Sequence, residues 1–547
     1  MNPQPPVTKM RIAARTSSDR AGALANFPIW RKRLEGYRER LAAAGWAPWL
    51  IFGLAIFLRF LLLGIKPPHF DEGINGWFVD QMVKEGYYRY DPTNYHGPLH
   101  FYVLFLFKTL FGRNLWALRT PVVLVSIACV WLTLKFEPLV GRSVARIAAV
   151  AMAVSPGFVF YGRYSIHEIW LALFSMLFIL GLLGLRQFGT TNYLWCAGMG
   201  AAGMILSKET YIIHIGCALI AFPVLSICQS LRPIPGKNPA RQTWSYVDLT
   251  AVIVVAAGLV VFFYSGTFLH WSGVKGLYQT YAPWFTTGSE GHGHEKPWFY
   301  WLKIMAPSLE WGRADFLGYE LPALVGLALC ALCLLYKNVN LRYLAIYGVG
   351  VLMVYSYVHY KTPWCIISII WPFLFIFGAG VVLLAGNNQF AKVAAGILLT
   401  CSLGSTIWLN YFRCTTDTEP YVYVQTYNDI RKFTDPLLAL ARRDPVAYHL
   451  PGMIIRSSSY PLPWVLGDFD AVGYYEGNNV PAKVDGDFFL VQEDQIGAVE
   501  EKLAGDYYTD TLKIRSYQEP SKAYFRAKIF KPLFPNRAPE IFPKKSR

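Results

Sequence analysis

Long apolar runs recur along most of the chain and predict a polytopic α-helical membrane protein. Between residues 46 and 409, stretches long enough to cross a bilayer as helices alternate with polar connections. We count about eleven spans in this region. They are 46–65, 115–134, 147–161, 169–185, 193–206, 211–230, 249–269, 321–336, 343–357, 365–385 and 391–409.

The charge of the connections predicts how these spans are oriented. Nine Lys and Arg residues lie in the first 40 positions, which places the N-terminus in the cytoplasm. The run 98–110 is short for a span and carries His100 and Lys108, so we interpret it as a helix on the outer surface. If it crossed the membrane, the Arg-rich connections that follow would all face outward. The loops 67–114 and 270–320 are therefore expected outside.

The two ends of the chain differ from this central region. Residues 1–45 form a basic cytoplasmic tail in which 29–44 has the spacing of an interfacial helix. From residue 410 to 547 no further run can span a membrane, and short segments predict a small extracytoplasmic α/β domain. Its predicted strands are 446–450, 488–492 and 511–516, and its predicted helices are 426–443 and 494–503.

Composition supports a membrane protein and argues against nucleic-acid binding. The 547 residues are 54% hydrophobic and 16% charged. The formal net charge of +16 lies mostly in the N-terminal tail and in short loops, where it sets orientation in the membrane. The nine cysteines fall almost entirely in apolar runs, so we predict no disulfide framework.

Candidate chemistry centres on the stretch 67–100, PPHFDEGINGWFVDQMVKEGYYRYDPTNYHGPLH. Two adjacent carboxylates, Asp71 and Glu72, open it, and His96 and His100 close it. The predicted topology brings further ionisable residues to the same outer face, where such groups at membrane depth are often functional. These residues are Arg163, His167, Glu168, Lys208, Glu209, His359 and Lys361.

This mixture of charges suits glycosyl transfer from a lipid-phosphate sugar. A carboxylate can accept the proton of a hydroxyl nucleophile, and fixed Arg and Lys side chains can stabilise a departing phosphate. Arg59 and Arg119 lie inside spans, either snorkelling to headgroups or binding a lipid phosphate. Aromatic residues such as Trp77 and Tyr87 suit sugar faces, with an interfacial aromatic belt as the alternative.

A metal site is the remaining chemical alternative in the outer loops. His292, His294 and Glu295 are suitable ligands for a divalent cation. Because no further ligand follows in register, we predict that no cofactor is required.

Several motifs resemble one family. Arg59 in the first span, the Asp71-Glu72 pair, Gly97-Pro98-Leu99, Arg119 and the block from Ser155 to Glu168 resemble the GT-C superfamily of polyprenol-phosphate-sugar glycosyltransferases. The likeness is greatest to its protein O-mannosyltransferase and aminoarabinose-transferase branch. The motifs YHGPLH, RYSIHE, SKET and YKTPW look more specifically like the bacterial and archaeal group labelled "flippase activity-associated protein".

The resemblance implies roles for individual residues. Asp71 would be the base, with Glu72 supporting it. Donor-phosphate binding would fall to Arg59, Arg119, Arg163, Lys208 and Lys361. Substrate binding would fall to His96, His100, His167, Glu168, Glu209 and His359. Where the family has a second Asp near the Arg163 block, this chain has His167-Glu168.

Our leading hypothesis is therefore an inverting glycosyltransferase in the cytoplasmic membrane of a bacterium or archaeon. It would move a sugar from a polyprenyl-phosphate donor to a hydroxyl of a glycan, lipid or protein on the outer face. One alternative is a lipid-linked-sugar translocator, or an accessory subunit of one, without transferase chemistry. Another is a polysaccharide polymerase or ligase that uses a diphosphate donor.

Overall fold

The computed structural model describes residues 45–94, 96–234, 242–291, 293–306, 319–386, 388–476 and 479–543. Residues Ile51–Arg547 belong to one compact unit, which contains all the contacts discussed below. The predicted cytoplasmic tail and its interfacial helix at 29–44 lie outside the described residues.

Long apolar helices dominate the described part of the chain. Seven are long and apolar enough to cross a membrane: Leu115–Val140, Glu168–Phe188, Tyr211–Leu231, Tyr246–Tyr264, Val339–Tyr357, Pro363–Leu384 and Gln389–Phe412. An eighth results if Arg142–Val154 and Pro156–Arg163, bent by 57° at Ser155, form one span. The polytopic helical fold class is thus confirmed.

The remaining predicted spans correspond to shorter helices. Ala47–Phe60 and Leu321–Leu329 are apolar, the latter continuing as a 3-10 helix over Cys330–Leu335, and Thr191–Ser207 has 17 residues. The count of about eleven spans stays a prediction.

The helices differ in how far they are enclosed. In Pro363–Leu384, 83% of the most apolar window is buried, whereas in Tyr246–Tyr264 only 6% is buried. The first is therefore the central helix of the bundle. The second presents apolar side chains outward on nearly all sides, as expected of a helix that faces lipid.

The predicted outer loop 67–114 is mostly helical. We call Phe70–Glu85 the Asp71 helix. His69 caps it by accepting the backbone N–H of Asp71, and the Glu72 side chain accepts the backbone N–H of His69 in return. It ends at Gly86, whose φ of +81° suits glycine. The second helix, Leu99–Phe111, confirms that the run 98–110 is helical.

Shorter helices complete the helical region and the C-terminal part. They are Ser272–Gln279, Tyr281–Glu290, Tyr300–Met305, Arg431–Arg443, Leu462–Val465, Ile496–Glu500 and Ala527–Phe530; Glu137–Val140 is the last turn of the span Leu115–Val140.

The predicted C-terminal α/β domain is present and is built on a six-stranded sheet. Its strand order is β2-β1-β3-β5-β4-β6. The strands are β1 Gly452–Ile455, β2 Val472–Tyr475, β3 Phe488–Gln492, β4 Gly505–Leu512, β5 Ser521–Arg526 and β6 Glu540–Phe542. β1 pairs in parallel with β2 and β3, and the remaining pairs are antiparallel.

Two of the three predicted strands need correction. The strand at 488–492 matches β3, but most of 446–450 belongs to the 3-10 helix Pro445–His449, because Pro445 begins it and Asp444 accepts the Val446 N–H. Of the strand predicted at 511–516, only the first two residues are in a strand, and they are the last two residues of the longer β4.

The C-terminal domain packs directly on the Asp71 helix. A Cβ added to Gly73 would collide with Pro461, and one added to Gly76 would collide with the Trp464 ring. Arg113 strengthens this contact, since it donates to Asp80 of the Asp71 helix and to Asp468 of the domain. The helix that carries the predicted base is therefore held by the domain.

Candidate active site

Asp71 lies in the first turn of the Asp71 helix, and its side chain is 29% exposed. Its Oδ2 is 3.8 Å from Nδ1 of His69, which is buried. The His69 Nδ1 accepts the Asp71 backbone N–H at 3.1 Å, so the ring hydrogen is on Nε2, which donates to the Tyr423 carbonyl at 2.8 Å. Burial lowers the pKa of His69, which keeps it neutral. Asp71 is thus a fixed carboxylate open to a ligand.

Aromatic side chains surround this carboxylate. The Tyr164 ring lies 4.8 Å from the His69 ring, and the Trp364 ring lies 6.2 Å from it, edge-on. Trp364 also contacts Tyr423 at 5.7 Å. Burial, together with the charges of Tyr517 and Asp71, raises the pKa of Tyr423. Tyr423 therefore lies within electrostatic reach of Asp71.

Arg515 of the C-terminal domain is a cation beside Asp71 that the sequence analysis did not identify. Its guanidinium stacks 4.4 Å from the Phe70 ring and is 1% exposed. It donates to the Tyr517 hydroxyl at 2.7 Å and to the Tyr460 carbonyl at 2.6 Å. Its Nε has no hydrogen-bond partner within the described residues. Burial lowers the pKa of Arg515, and Tyr517 and the Asp71 carboxylate act against that effect.

The Glu72 carboxylate, by contrast, is enclosed by the protein and fully hydrogen-bonded to it. It is completely buried and accepts four hydrogen bonds, two from Arg119 at 2.8 and 2.7 Å and one each from the backbone N–H of Ser165 and His69. Burial alone would raise its pKa, but the charge and hydrogen bonds of Arg119 lower it to about 2. Glu72 is therefore positioned to anchor the Asp71 helix and is shielded from substrate.

The three arginines predicted to bind phosphate are bonded to the protein itself. Arg119 donates also to the carbonyls of Leu63, Lys66 and Pro67. Arg163 donates to those of Leu58, Leu61 and Leu62 and to the Tyr411 hydroxyl. Arg59 bonds Ser126 and the carbonyls of Ala55, Met152 and Ala153. All three are fully buried.

Three predicted substrate-binding histidines lie together. The His167 ring centre is 4.5 Å from that of His100 and 4.7 Å from that of His96. His100 accepts the Trp170 indole N–H and contacts the Ser165 hydroxyl at 3.0 Å. Because the Ser165 backbone N–H bonds Glu72, this cluster is connected to the Asp71 helix.

The charged residues next to these histidines are paired. Lys208 donates to Glu168, and both side chains are buried. Glu209 accepts from His96 Nδ1 at 3.0 Å, and burial, opposed by the His96 and Lys208 charges, leaves the pKa of Glu209 lowered. The structure thus brings His96, Glu168, Lys208 and Glu209 together as one polar network.

Lys361 and the remaining predicted residues lie in two facing loops. Lys361 Nζ donates to the carbonyls of Lys296 and Val358. His359 is exposed, and its carbonyl accepts the Lys296 N–H. His294 Nδ1 contacts the Tyr423 hydroxyl, which ties this region to the aromatic surround of Asp71.

The possible metal site at His292, His294 and Glu295 stays a prediction. His292 lies outside the described residues. Among the residues that are described, no group of three or more His, Cys, Asp or Glu side chains is arranged to hold a metal ion.

Comparisons with known proteins support the fold. A family model described as dolichyl-phosphate-mannose-protein mannosyltransferase matches residues 95–262, less than a third of the chain. ArnT from Cupriavidus metallidurans, solved bound to undecaprenyl phosphate and in the apo state, resembles the chain with a TM-score of 0.54 and 14% identity in both cases. Each alignment covers 89% of this chain and 98% of ArnT.

A second neighbour is more distant. The archaeal oligosaccharyltransferase AglB from Archaeoglobus fulgidus gives a TM-score of 0.47 at 12% identity, covering 85% of this chain and 72% of AglB. No curated protein matches the sequence. The predicted resemblance to the GT-C superfamily is confirmed. The finer likeness to the "flippase activity-associated" group stays a prediction.

Proposed function

We propose that the protein is an inverting glycosyltransferase that moves a sugar from a polyprenyl-phosphate donor to an acceptor hydroxyl. The observation that carries this proposal is Asp71, a part-exposed carboxylate fixed at the start of a capped helix and ringed by aromatic side chains. The match to the mannosyltransferase family model and the fold shared with ArnT, which binds undecaprenyl phosphate, support it.

In the proposed reaction Asp71 accepts the proton of the acceptor hydroxyl as the oxygen attacks the anomeric carbon. The bond between that carbon and the phosphate oxygen breaks, and polyprenyl phosphate leaves with the bonding electrons. The configuration at the anomeric carbon is inverted because attack and departure occur on opposite faces. Glu72 keeps the helix in place and takes no proton, since its acceptor positions are filled.

The departing phosphate needs a cation with unused donors. Arg59 and Arg119 are bonded to backbone carbonyls, and Lys208 is paired with Glu168. Both Nη atoms of Arg163 are likewise bonded to carbonyls, while its buried Nε has no partner within the described residues. Lys361 donates to two carbonyls, so a third N–H of its ammonium group is left for a phosphate oxygen. We therefore assign the donor phosphate to Lys361, with the Nε–H of Arg515, which has no partner in the described part of the chain, as a further donor.

The proposed setting is the outer face of a bacterial or archaeal cytoplasmic membrane. The excess of Lys and Arg in the first 40 residues and in alternate connections supports a cytoplasmic N-terminus and an extracytoplasmic C-terminal domain. To test this orientation, single cysteines are introduced into residues 1–45 and into the C-terminal domain. They are then labelled in intact cells with a reagent that does not cross the membrane. Labelling of the tail in intact cells would contradict it.

The decisive experiment compares cells that lack the protein after complementation with wild type or with Asp71→Asn. We expect mass spectrometry to show a missing glycan and an accumulated sugar-charged polyprenyl phosphate, both reversed by wild type alone. Asp494→Asn, which changes an exposed carboxylate of the C-terminal domain, is the matched control and should complement fully. Full complementation by Asp71→Asn would overturn the proposal and favour a translocator.

A further inference from the structure

Two adjoining cavities run along the exposed face of the Asp71 helix. One has a volume of about 650 Å³ and lies between this helix and the C-terminal domain. The other, of about 450 Å³, lies between the helix, the loop that follows it and Ser272–Gln279. Trp77 and Gln81 line both cavities, so the two adjoin at these side chains. We call the pair of cavities the helix groove.

The larger cavity of the helix groove approaches the first turn of the Asp71 helix. Tyr460 lines the larger cavity, and its ring packs edge-on against Phe70, next to Asp71, at 5.8 Å. The Tyr460 carbonyl also accepts from Arg515, the cation beside Asp71. Gln81 follows Asp71 by ten residues, which corresponds to about 15 Å along an α-helix. A ligand that fills the groove and reaches Asp71 is therefore an elongated one.

The lining of the groove combines flat aromatic surfaces with hydrogen-bonding side chains. Trp77, Tyr87, Tyr460 and Tyr474 supply rings, and Gln81, Glu85, Asp91, Gln279 and Glu476 supply amide and carboxylate groups. An acyl chain would displace the water that is hydrogen-bonded to these polar groups. It has no donors or acceptors to replace that water. A sugar chain can stack on the rings and bond the polar groups through its hydroxyls.

The charges along the groove favour an uncharged chain. In the larger cavity Lys84, Lys108 and Arg113 are balanced by Asp80, Asp470 and Glu476. Moreover, Arg113 and Lys108 are both bonded to Asp80. The groove thus offers no excess of positive charge for a polyanion.

We propose that the acceptor is an extended, neutral glycan that lies in the helix groove with its accepting hydroxyl at Asp71. This inference rests on the proposed function, and it names the acceptor that the reaction uses. Sugars near the accepting end contact Tyr460, and sugars farther away contact Trp77 and Gln81.

The test measures transfer by the purified full-length protein from sugar-charged polyprenyl phosphate extracted from cells that lack it. The acceptors are three fractions of the same cells: neutral glycans cut by partial hydrolysis into size classes, delipidated protein, and extracted lipid. We expect incorporation into the glycan fraction, with KM falling as the fragments lengthen. Trp77→Ala and Gln81→Ala should each raise KM for long fragments by about tenfold. Neither should change kcat or KM for the shortest fragments.

The controls separate loss of subsites from general damage. Gln389→Ala and Tyr246→Ala change exposed residues far along the chain from the groove and should behave as wild type. Incorporation by wild type into protein or lipid alone would overturn the inference while leaving the proposed function standing. So would an unchanged KM for long fragments in both groove variants. If wild type labels none of the three fractions, the proposed function itself fails.

Discussion

The two adjacent carboxylates provide the sharpest prediction, because the structure leaves Asp71 part-exposed and encloses Glu72 completely. In Glu72→Gln one carboxylate oxygen becomes an NH2 group. If it replaces Oε1, it faces the Nε–H of Arg119 and the N–H of Ser165; if it replaces Oε2, it faces Arg119 Nη2 and the N–H of His69. In either orientation two donors lose their acceptor and Arg119 is left buried without a counter-charge.

The magnitude follows from the ion pair. Breaking a buried pair by removing one charge costs about 3–5 kcal/mol. The lowering of the Glu72 pKa from 4.5 to about 2 leads to a similar figure, about 3 kcal/mol. Because the folded-state pKa is depressed, this stabilisation is complete above about pH 4.5 and is lost as the pH falls towards 2. The difference between wild type and Glu72→Gln should therefore shrink on acidification.

The assay is the thermal midpoint of the monodisperse protein in one detergent, measured beside transfer activity per folded molecule. Glu72→Gln should lower the midpoint clearly at pH 7, whereas Asp71→Asn, at a part-exposed side chain, should keep it and abolish transfer. The double variant Glu72→Gln/Arg119→Gln should lose less than the sum of the single losses, since each single change already breaks the pair. A wild-type midpoint for Glu72→Gln, or a strictly additive double variant, would refute the reasoning.

Three further predictions concern residues outside this pair. Burial raises the pKa of Glu320 to about 7, so folding is disfavoured as the pH rises from 4.5 to 7; Glu320→Gln should flatten this pH dependence of the thermal midpoint. Arg515→Gln should lower kcat by about tenfold, because the cation beside Asp71 is removed, and Arg515→Lys should recover part of the loss; equal kcat for Arg515→Gln and wild type would contradict this role. Gly76→Ala should loosen the C-terminal domain and expose it to limited proteolysis, because its Cβ would collide with Trp464, while Gly396→Ala, with open space around it, should not.

The sequence was sufficient to predict the helical membrane fold, whereas the role of the stretch around Asp71 stays a prediction. The length of the apolar runs and the charge of the connections are properties of local sequence, so they can be read without knowledge of the tertiary structure. The helical nature of 98–110 followed from the same pattern. The Asp71 helix was missed because its apolar residues show no clear periodicity and its glycines read as loop signals. Gly73 and Gly76 are there because Pro461 and Trp464 occupy the space of their side chains.

The arginines show why the roles of charged residues were harder to predict than their locations. The sequence placed Arg59 and Arg119 inside spans and Arg163 on the outer face, and the family resemblance assigned all three to the donor phosphate. In the structure, Arg119 and Arg163 both donate to carbonyls between Leu58 and Pro67, where the chain leaves its first apolar helix. That turn includes Leu62 with a φ of +49°, outside helical geometry, so its carbonyls are freed for side-chain donors. No pattern in the sequence indicates which carbonyls a turn will release.

Arg515 illustrates the converse, a site residue that only the folded chain reveals. It lies three residues after Leu512, the end of β4, in a domain that carries none of the family motifs, and nothing in its neighbours suggests a ligand. Its guanidinium nevertheless reaches the first turn of the Asp71 helix, because Pro461 and Trp464 seat the domain against the two glycines of that helix. The same contact places the C-terminal domain as one wall of the helix groove. The domain contact, the position of the Arg515 cation and the helix groove thus all depend on this packing of Pro461 and Trp464 against the helix. A variant that weakens the packing, such as Gly76→Ala, should therefore impair acceptor binding and catalysis together.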